Sequence, residues 1–349
     1  MLLTKYKLGD LIVQRREKNN NFDVPIRGVS KEGFIRAKQQ EADTSIYNVF
    51  YKYDFVFNPA RMELNSIALN LEYEKALCSS LYEVFYIKDE DIVLPEFLNL
   101  HIKRDEFARH CDYIGLGSAR EYCRFANISE FDIELPPIEV QQEIVEADRL
   151  IKHRIRLNEQ MIEKLEATAQ ALYRKMFVDG IDKENLPEDW RIGTIGDVAD
   201  VRNGKSITPT EGDFPVYGGN GIVGRTDISN AKGVVVIGRV GINCGSLFLH
   251  QGNCYVNDNA MMAIPKDENL IYLYLTLMQM DLNSQSEGSG QPLLTQSIIY
   301  KQECVIPNLN AIKEFENQGS VIYRHKILLE QENSKLTELQ SLLLAKMGQ

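Results

Sequence analysis

IELPPIEVQQEIVEADRLIKHRIRLNEQMIEKLEATAQALYRKM, residues 133–176, and CVIPNLNAIKEFENQGSVIYRHKILLEQENSKLTELQSLLLAKM, residues 304–347, are two copies of one phrase. Each opens on a hydrophobic-Pro step, at Pro136 and Pro307, and closes on Lys-Met, at Met176 and Met347. Glu159-Gln160 matches Glu330-Gln331 and Lys164-Leu165 matches Lys335-Leu336, every pair 171 residues apart without a gap. An ungapped match over the length of a helix argues for duplication, and a duplication decides the architecture before any other reading. The chain is two halves, and each half ends in a long helix.

The helical period is plain in both copies. Ile151, Ile155, Asn158, Ile162, Leu165, Ala169, Leu172 and Met176 alternate spacings of four and three, the seam of a coiled coil. Ile322, Leu329, Leu336 and Leu343 recur every seven residues, and Leu328, Leu339 and Leu342 are expected to widen that stripe. Asn158 and Asn333 fall inside the stripes, where one polar residue can fix register. Pro136 and Pro137 suit a helix start, where a missing N–H is not felt. From 137 to 177 a helix spans roughly 60 Å at ~1.5 Å per residue. Neither helix is stable until its stripe is covered, and antiparallel pairing of the two copies is the natural cover. Separate docking of each helix on its own domain is the competing arrangement.

Working outward, both halves begin alike: Tyr6-Lys7-Leu8-Gly9-Asp10-Leu11 resembles Trp190-Arg191-Ile192-Gly193 followed by Ile195-Gly196-Asp197-Val198. Short β-like runs bounded by Gly, Asn and Pro follow, at 47–57, 80–87, 233–237, 244–250 and 260–264. A helical insert is expected at 95–109 and another at 270–281, each before a glycine pair (Gly115-Leu116-Gly117; Gly288-Ser289-Gly290). The expected fold is α+β. Two mixed α/β domains with curved, mainly antiparallel sheets are separated by two long antiparallel coiled-coil helices, in a pseudo-twofold internal repeat. The boundaries read 1–136 for the first domain, 137–178 for its helix, 179–189 for a linker, 190–307 for the second domain and 308–349 for the second helix.

At 349 residues, with 44% hydrophobic and 26% charged residues, the chain has an ordinary globular composition. No run approaches the roughly 20 apolar residues of a membrane helix. Charge arrives within a few residues of Met1, so a cytoplasmic location without membrane association is expected. The six cysteines include no Cys-x-x-Cys pair, and the five histidines show no metal-ligand spacing, so no metal site is expected. The net charge of −11 opposes nucleic-acid binding overall. Its distribution does not: residues 1–38 carry nine basic against four acidic side chains, and 201–245 five against three.

No catalytic constellation is legible. Gly219-Asn220-Gly221-Ile222-Val223-Gly224 satisfies Gly-x-Gly-x-x-Gly literally, but loop residues follow it where a dinucleotide site needs a helix N-terminus. Three dense phrases in the second half carry more: 214–221, Ile237-Gly238-Arg239-Val240-Gly241-Ile242-Asn243-Cys244-Gly245, and Val256-Asn257-Asp258-Asn259-Ala260. Glycines let loops approach a ligand closely. Interleaved Arg, Asn and Asp are the side chains of base-edge readout. The same residue types also build hairpin turns.

These phrases, the 288–292 stretch and the helix opening Leu135-Pro136-Pro137-Ile138-Glu139-Val140-Gln141-Gln142 together resemble the DNA-specificity subunits of type I restriction-modification systems, over essentially the whole chain. The family's helix opening carries a Gln five residues after the Pro. The second copy departs from it, with Ile312-Lys313 in place of Gln141-Gln142. The resemblance implies a non-catalytic chain whose two target-recognition domains each read half of a split, asymmetric site in double-stranded DNA. It implies that the helices set the unread spacer and dock two DNA methyltransferase subunits and the restriction-translocase subunits. S-adenosylmethionine, Mg and ATP are then expected only in those partners, and no cofactor here. A coiled-coil scaffold or adaptor, or the recognition subunit of a methylation-only or type IIB-like complex, is the alternative. Candidate DNA-binding residues are Lys31, Arg36, Lys38 and Arg61 in the first half and Arg202, Lys205, Arg225, Arg239 and Asn243 in the second.

Overall fold

The computed structural model describes residues 3–20, 23–37, 43–115, 122–286 and 292–347, in two compact units. Unit 1 comprises 1–156 with 333–349, and unit 2 comprises 157–332. Lys38, Leu116, Gly117 and 288–290 lie outside the described residues.

Unit 1 is built from β1 (Thr4–Lys7), α1 (Leu8–Leu11), β2 (Ile12–Arg15), β3 (Ile26–Ser30), β4 (Gly33–Arg36), β5 (Asn48–Tyr51), β6 (Phe55–Phe57), β7 (Ile67–Leu69), β8 (Lys75–Cys78), β9 (Glu83–Ile87), α2 (Pro95–Ile102), α3 (Asp105–Gly115), α4 (Phe125–Ser129), β10 (Asp132–Leu135) and the first part of α5 (Ile138–Phe177). One four-stranded sheet runs β2-β9-β6-β7 and a second β4-β3-β8-β5, antiparallel except for β3 beside β8. Period-two alternation sorts the side chains. Phe55, Phe57, Ile67, Phe85 and Ile87 face the helices with Phe97, Leu98 and Phe107, whereas Val56, Ala68 and Val84 face the second sheet with Val29, Phe50 and Ala76.

Unit 2 adds β11 (Arg191–Thr194), α6 (Ile195–Val198), β12 (Ala199–Asn203), β13 (Phe214–Gly218), β14 (Gly221–Thr226), β15 (Ala231–Gly238), β16 (Leu247–Val256), β17 (Ala260–Pro265), α7 (Leu270–Met278), α8 (Gln296–Tyr300), β18 (Glu303–Ile306) and α9 (Leu309–Lys346), whose last part belongs to unit 1. Its six-stranded sheet runs β12-β17-β15-β16-β13-β14, with β13 and β16 the parallel pair. On β15, Val235 and Ile237 meet Leu273 and Leu277 of α7, while Val234 and Val236 meet Tyr217, Val256 and Met262 on the other face. The sequence of α7 is apolar all round because it is covered on both sides. Tyr272 and Leu275 meet an aromatic cluster of Tyr173, Phe177, Phe315 and Tyr323.

The repeat is visible in each unit. The opening strand pairs antiparallel with the strand before the long helix: β1 with β10 (Thr4 opposite Leu135) and β11 with β18 (Arg191 opposite Ile306). The matched Leu-Gly-Asp-Leu and Ile-Gly-Asp-Val segments are both one-turn helices, α1 and α6.

The long helices run antiparallel within each unit. In unit 1, Ile144 and Val145 of α5 and Leu344 and Met347 of α9 share one core, and the Gln340 amide donates to Asp148 Oδ1 at 2.7 Å. In unit 2, Phe177 stacks edge-on against Phe315 (centroids 5.3 Å apart) and Lys326 pairs with Glu166 at 2.7 Å. Ile151, Asn158, Ala169 and Leu329 are buried, and Ile155, Ile162, Leu165, Leu172, Ile322, Leu336 and Leu343 half-buried. The expected widening by Leu328, Leu339 and Leu342 is corrected: all three are exposed. A two-helix contact covers one seam per helix, so apolar residues beyond it face outward.

The departure at Ile312 also has a structural account. Gln141 is fully buried: its Oε1 accepts from the Leu94 N–H (3.1 Å), at the start of α2, and its Nε2 donates to Ile92 O and Pro136 O (both 2.9 Å). In the second copy Glu316, one turn beyond Ile312, accepts from the Tyr272 N–H (2.7 Å) in the first turn of α7. Both satisfy the open N–H groups of the helix that docks on the long one. The same anchoring job has moved by one turn.

Candidate nucleic-acid interface

Lys31, Arg36 and Arg61 converge on one cleft of about 1170 Å³ in unit 1. The β3–β4 hairpin supplies Lys31 and Arg36, the 3-10 segment Pro59–Leu64 supplies Arg61, and Lys103 enters from the α2–α3 junction. Five basic side chains (Arg27, Lys31, Arg36, Arg61, Lys103) line it against three acidic ones (Glu32, Glu63, Asp105). A locally positive cleft in a chain of net charge −11 is the footprint a polyanion needs. Asn58, Asn65, Ser79 and Tyr82 add short-range donors and acceptors to its walls.

Several basic residues near the N-terminus, the cleft-lining Arg27 among them, are held by partners within the unit. Arg15 forms a two-point pair with the buried Asp54 (2.6 and 3.0 Å), its guanidinium lying against the Tyr51 and Tyr86 rings. Burial pushes the Asp54 carboxyl up, against the opposing pull of Arg15 and the Tyr51 N–H. Arg27 lies over the Tyr73 ring and donates to its hydroxyl at 2.8 Å. Lys5 and Lys7 pair with Glu134 and Asp132 across the β1–β10 ladder.

In unit 2 the three glycine-rich phrases meet. The Asn257 N–H donates to Tyr217 O (2.8 Å), the Arg239 N–H to Asn259 O (3.1 Å) and the Lys205 N–H to Val256 O (3.1 Å). Gly238 lies against Gly219: a Cβ at 238 would stand 2.7 Å from Gly219 O and 2.4 Å from Asn243 O, so no side chain fits. Residues 292–294 close the group, through Gly241 N–H to Pro292 O (3.1 Å) and Leu294 N–H to Arg239 O (2.9 Å).

The second-half candidates differ in their freedom. The Arg239 Nε is buried with no hydrogen-bond partner among the described residues, close in sequence to the turn Gly241–Asn243, where Ile242 is exposed and Asn243 half-buried. Lys205 is exposed at the same cluster. Arg202 is held by Asp200 (2.7 Å), whose carboxyl the Tyr300 hydroxyl and then Arg202 keep below the usual range. The Arg225 guanidinium is spent on Gly212 O and Asp213 O, which it ties to the edge strand β14. Gly219-Asn220-Gly221-Ile222-Val223-Gly224 is the β13–β14 turn running into β14, with no helix after it. Sequence reading singled out neither Lys103 nor Tyr82, which line the cleft, nor Asn283, whose amide donates to Cys244 O, because each comes from a segment remote from the motif it joins. No local signal pointed to them. Among the described residues no group of three His, Cys, Asp or Glu side chains is arranged to hold a metal. No helix of the described residues is long and apolar enough to cross a membrane.

Two sheet-based units with a repeated pattern of strands and long helices, one with a basic cleft and the other with a loop cluster rich in Asn, Arg and Gly, have the layout of a DNA-recognition protein. The family model for the type I restriction modification DNA specificity domain matches residues 4–167 and 187–338, and the chain belongs to that family. It is 21% identical over 356 residues to the type I restriction enzyme HindI specificity subunit of Haemophilus influenzae, covering 74% of this chain and 77% of that protein. Its fold is similar to the crystal structure of the S subunit of a type I restriction-modification system from M. genitalium (TM-score 0.68, 16% identity, 100% of this chain and 96% of the other). It is also similar to a chain from a structural study of complex assembly and conformational transition in the type I system (TM-score 0.50, 19% identity, 99% and 97% covered).

Proposed function

We propose that the chain reads a split, asymmetric duplex sequence, one half through the unit 1 cleft and the other through the unit 2 loop cluster, and that catalysis belongs to partner subunits. The observation that carries this reading is the duplication of frame without duplication of site. The frame repeats without a gap from Pro136 and Pro307 to Met176 and Met347, while the cleft and the loop cluster it bears are built from unrelated loops. In this reading the number of turns in α5 and α9 sets the unread spacer between the halves. Leu150, Leu339 and Leu342 in unit 1, and Leu157, Met161 and Leu328 in unit 2, are exposed on the long helices. Aliphatic side chains beyond the seam suit methyltransferase subunits, which bring S-adenosylmethionine, and restriction-translocase subunits join that assembly with Mg and ATP.

The test uses the complex assembled with its methyltransferase partners on a duplex carrying the motif found by methylome sequencing. Replacing Lys31, Arg36 and Arg61 together by Ala should weaken binding and make the log–log salt dependence shallower by about 0.9 for each phosphate that is no longer neutralised. Unchanged affinity and slope would remove the cleft from the DNA interface.

A further inference from the structure

We propose that Ile242 reads the 5-methyl group of a thymine in the half-site bound by unit 2. The proposal rests on the DNA-recognition reading above and assigns it a specificity-determining residue. Ile242 sits in the 3-10 turn Gly241–Asn243, and 92% of its surface is exposed. A lone aliphatic on an open surface carries no message by itself. This one is different because its backbone is fixed. Gly241 takes φ +71° and Gly245 φ +88°, left-handed conformations that glycine adopts without strain and that shape the turn. The Cys244 N–H donates to Gly241 O (3.0 Å), the Gly245 N–H to Gly238 O (2.8 Å) and the Asn283 amide to Cys244 O (2.8 Å). A braced turn holding a bare isoleucine outward is preorganised for an apolar partner that arrives from outside.

The surroundings select that partner. Asn243, half-buried, follows Ile242 directly, Arg239 with its buried, unpaired Nε lies three residues before it, and the exposed Asn259 and Lys205 border the same cluster. A protein interface centres on contiguous apolar residues with charge depleted. A major-groove edge offers isolated methyl groups among acceptors and donors, the pattern found here. Among bases of unmodified DNA, thymine alone displays a methyl in that groove.

The experiment measures binding of the complex assembled with methyltransferase partners to the methylome-defined duplex, with each thymine of the motif replaced in turn by uracil, which lacks only the methyl. Wild type should lose about fourfold at one thymine, the worth of one buried methyl (~0.8 kcal/mol) at 1.4 kcal/mol per tenfold. Ile242→Ala should bind the thymine and uracil duplexes equally at that position and respond as wild type elsewhere. The same uracil response in Ile242→Ala at every thymine, or no thymine whose methyl matters, overturns the proposal. Failure of Ile242→Ala to assemble with the methyltransferase overturns it in favour of a protein contact. If instead the wild-type complex is indifferent to the sequence of one half-site, the recognition reading of unit 2 fails, and this proposal with it.

Discussion

Glu316 shows how one residue can replace another without occupying its position. At the first helix the anchor is a neutral amide, Gln141, which both accepts and donates; at the second it is a carboxylate, Glu316, which only accepts. A carboxylate at a helix start is favoured by the helix dipole. Burial pushes Glu316 up to about 7, opposed by hydrogen bonds from the Tyr272 and Ile271 backbone. A carboxyl whose folded value is raised holds its proton in the fold while the unfolded chain has released it. The stability linked to that proton is complete below pH ~4.5 and is lost as pH rises to ~7. Glu316→Gln keeps the acceptor for the Tyr272 N–H and abolishes the titration. The difference in unfolding free energy between variant and wild type should therefore grow between pH 5 and 8 in favour of the variant, by roughly 2–3 kcal/mol. Parallel denaturation curves across that range would show that Glu316 does not titrate there.

At the scale of elements, each long helix leaves one unit's core and ends in the other's. Met347, closing the second copy, is 1% exposed in the unit 1 core, whereas its counterpart Met176 is half-buried at the edge of the unit 2 aromatic cluster. Met347→Ala should cost about 2–4 kcal/mol through reduced burial and a residual cavity, and Met176→Ala less. Hydrogen exchange should place the destabilisation by Met347→Ala in the amides of α2 and α4, packed on that core, and leave α7 protected; equal loosening of both units would contradict this division. The seam positions were legible because a seven-residue period is a local property. The outward-facing Leu339 and Leu342 were not, because two apolar neighbours one turn apart look alike in sequence until a partner helix covers one face only.

At the scale of the molecule, the basic cleft and the glycine-rich loop cluster each lie within one unit, and each unit has its own core. Replacing residues 190–307 with the matching segment of another family member should change one half of the methylated motif and leave the other half intact, as read by methylome sequencing. Simultaneous change of both halves would mean that the surfaces are not independent. The charge pattern makes the same point: the overall −11 is not uniform, and one cleft of unit 1 gathers five basic against three acidic side chains.

Two halves, two long helices, their heptad seams and the opening Gly-Asp turns follow from order along the chain alone, since repeats and periods are written in neighbouring residues. Convergence follows from folding. The cleft draws on residues from 26 to 108, the loop cluster on residues from 204 to 294, and the second helix anchor slips by one turn. Contacts between distant segments depend on how sheets curl and helices dock, and no local pattern records that. Charge counting therefore singled out Lys31, Arg36 and Arg61 but could not foresee that they line one cleft, that Arg225 is spent on its own loop, or that the Arg239 Nε is buried without a partner among the described residues.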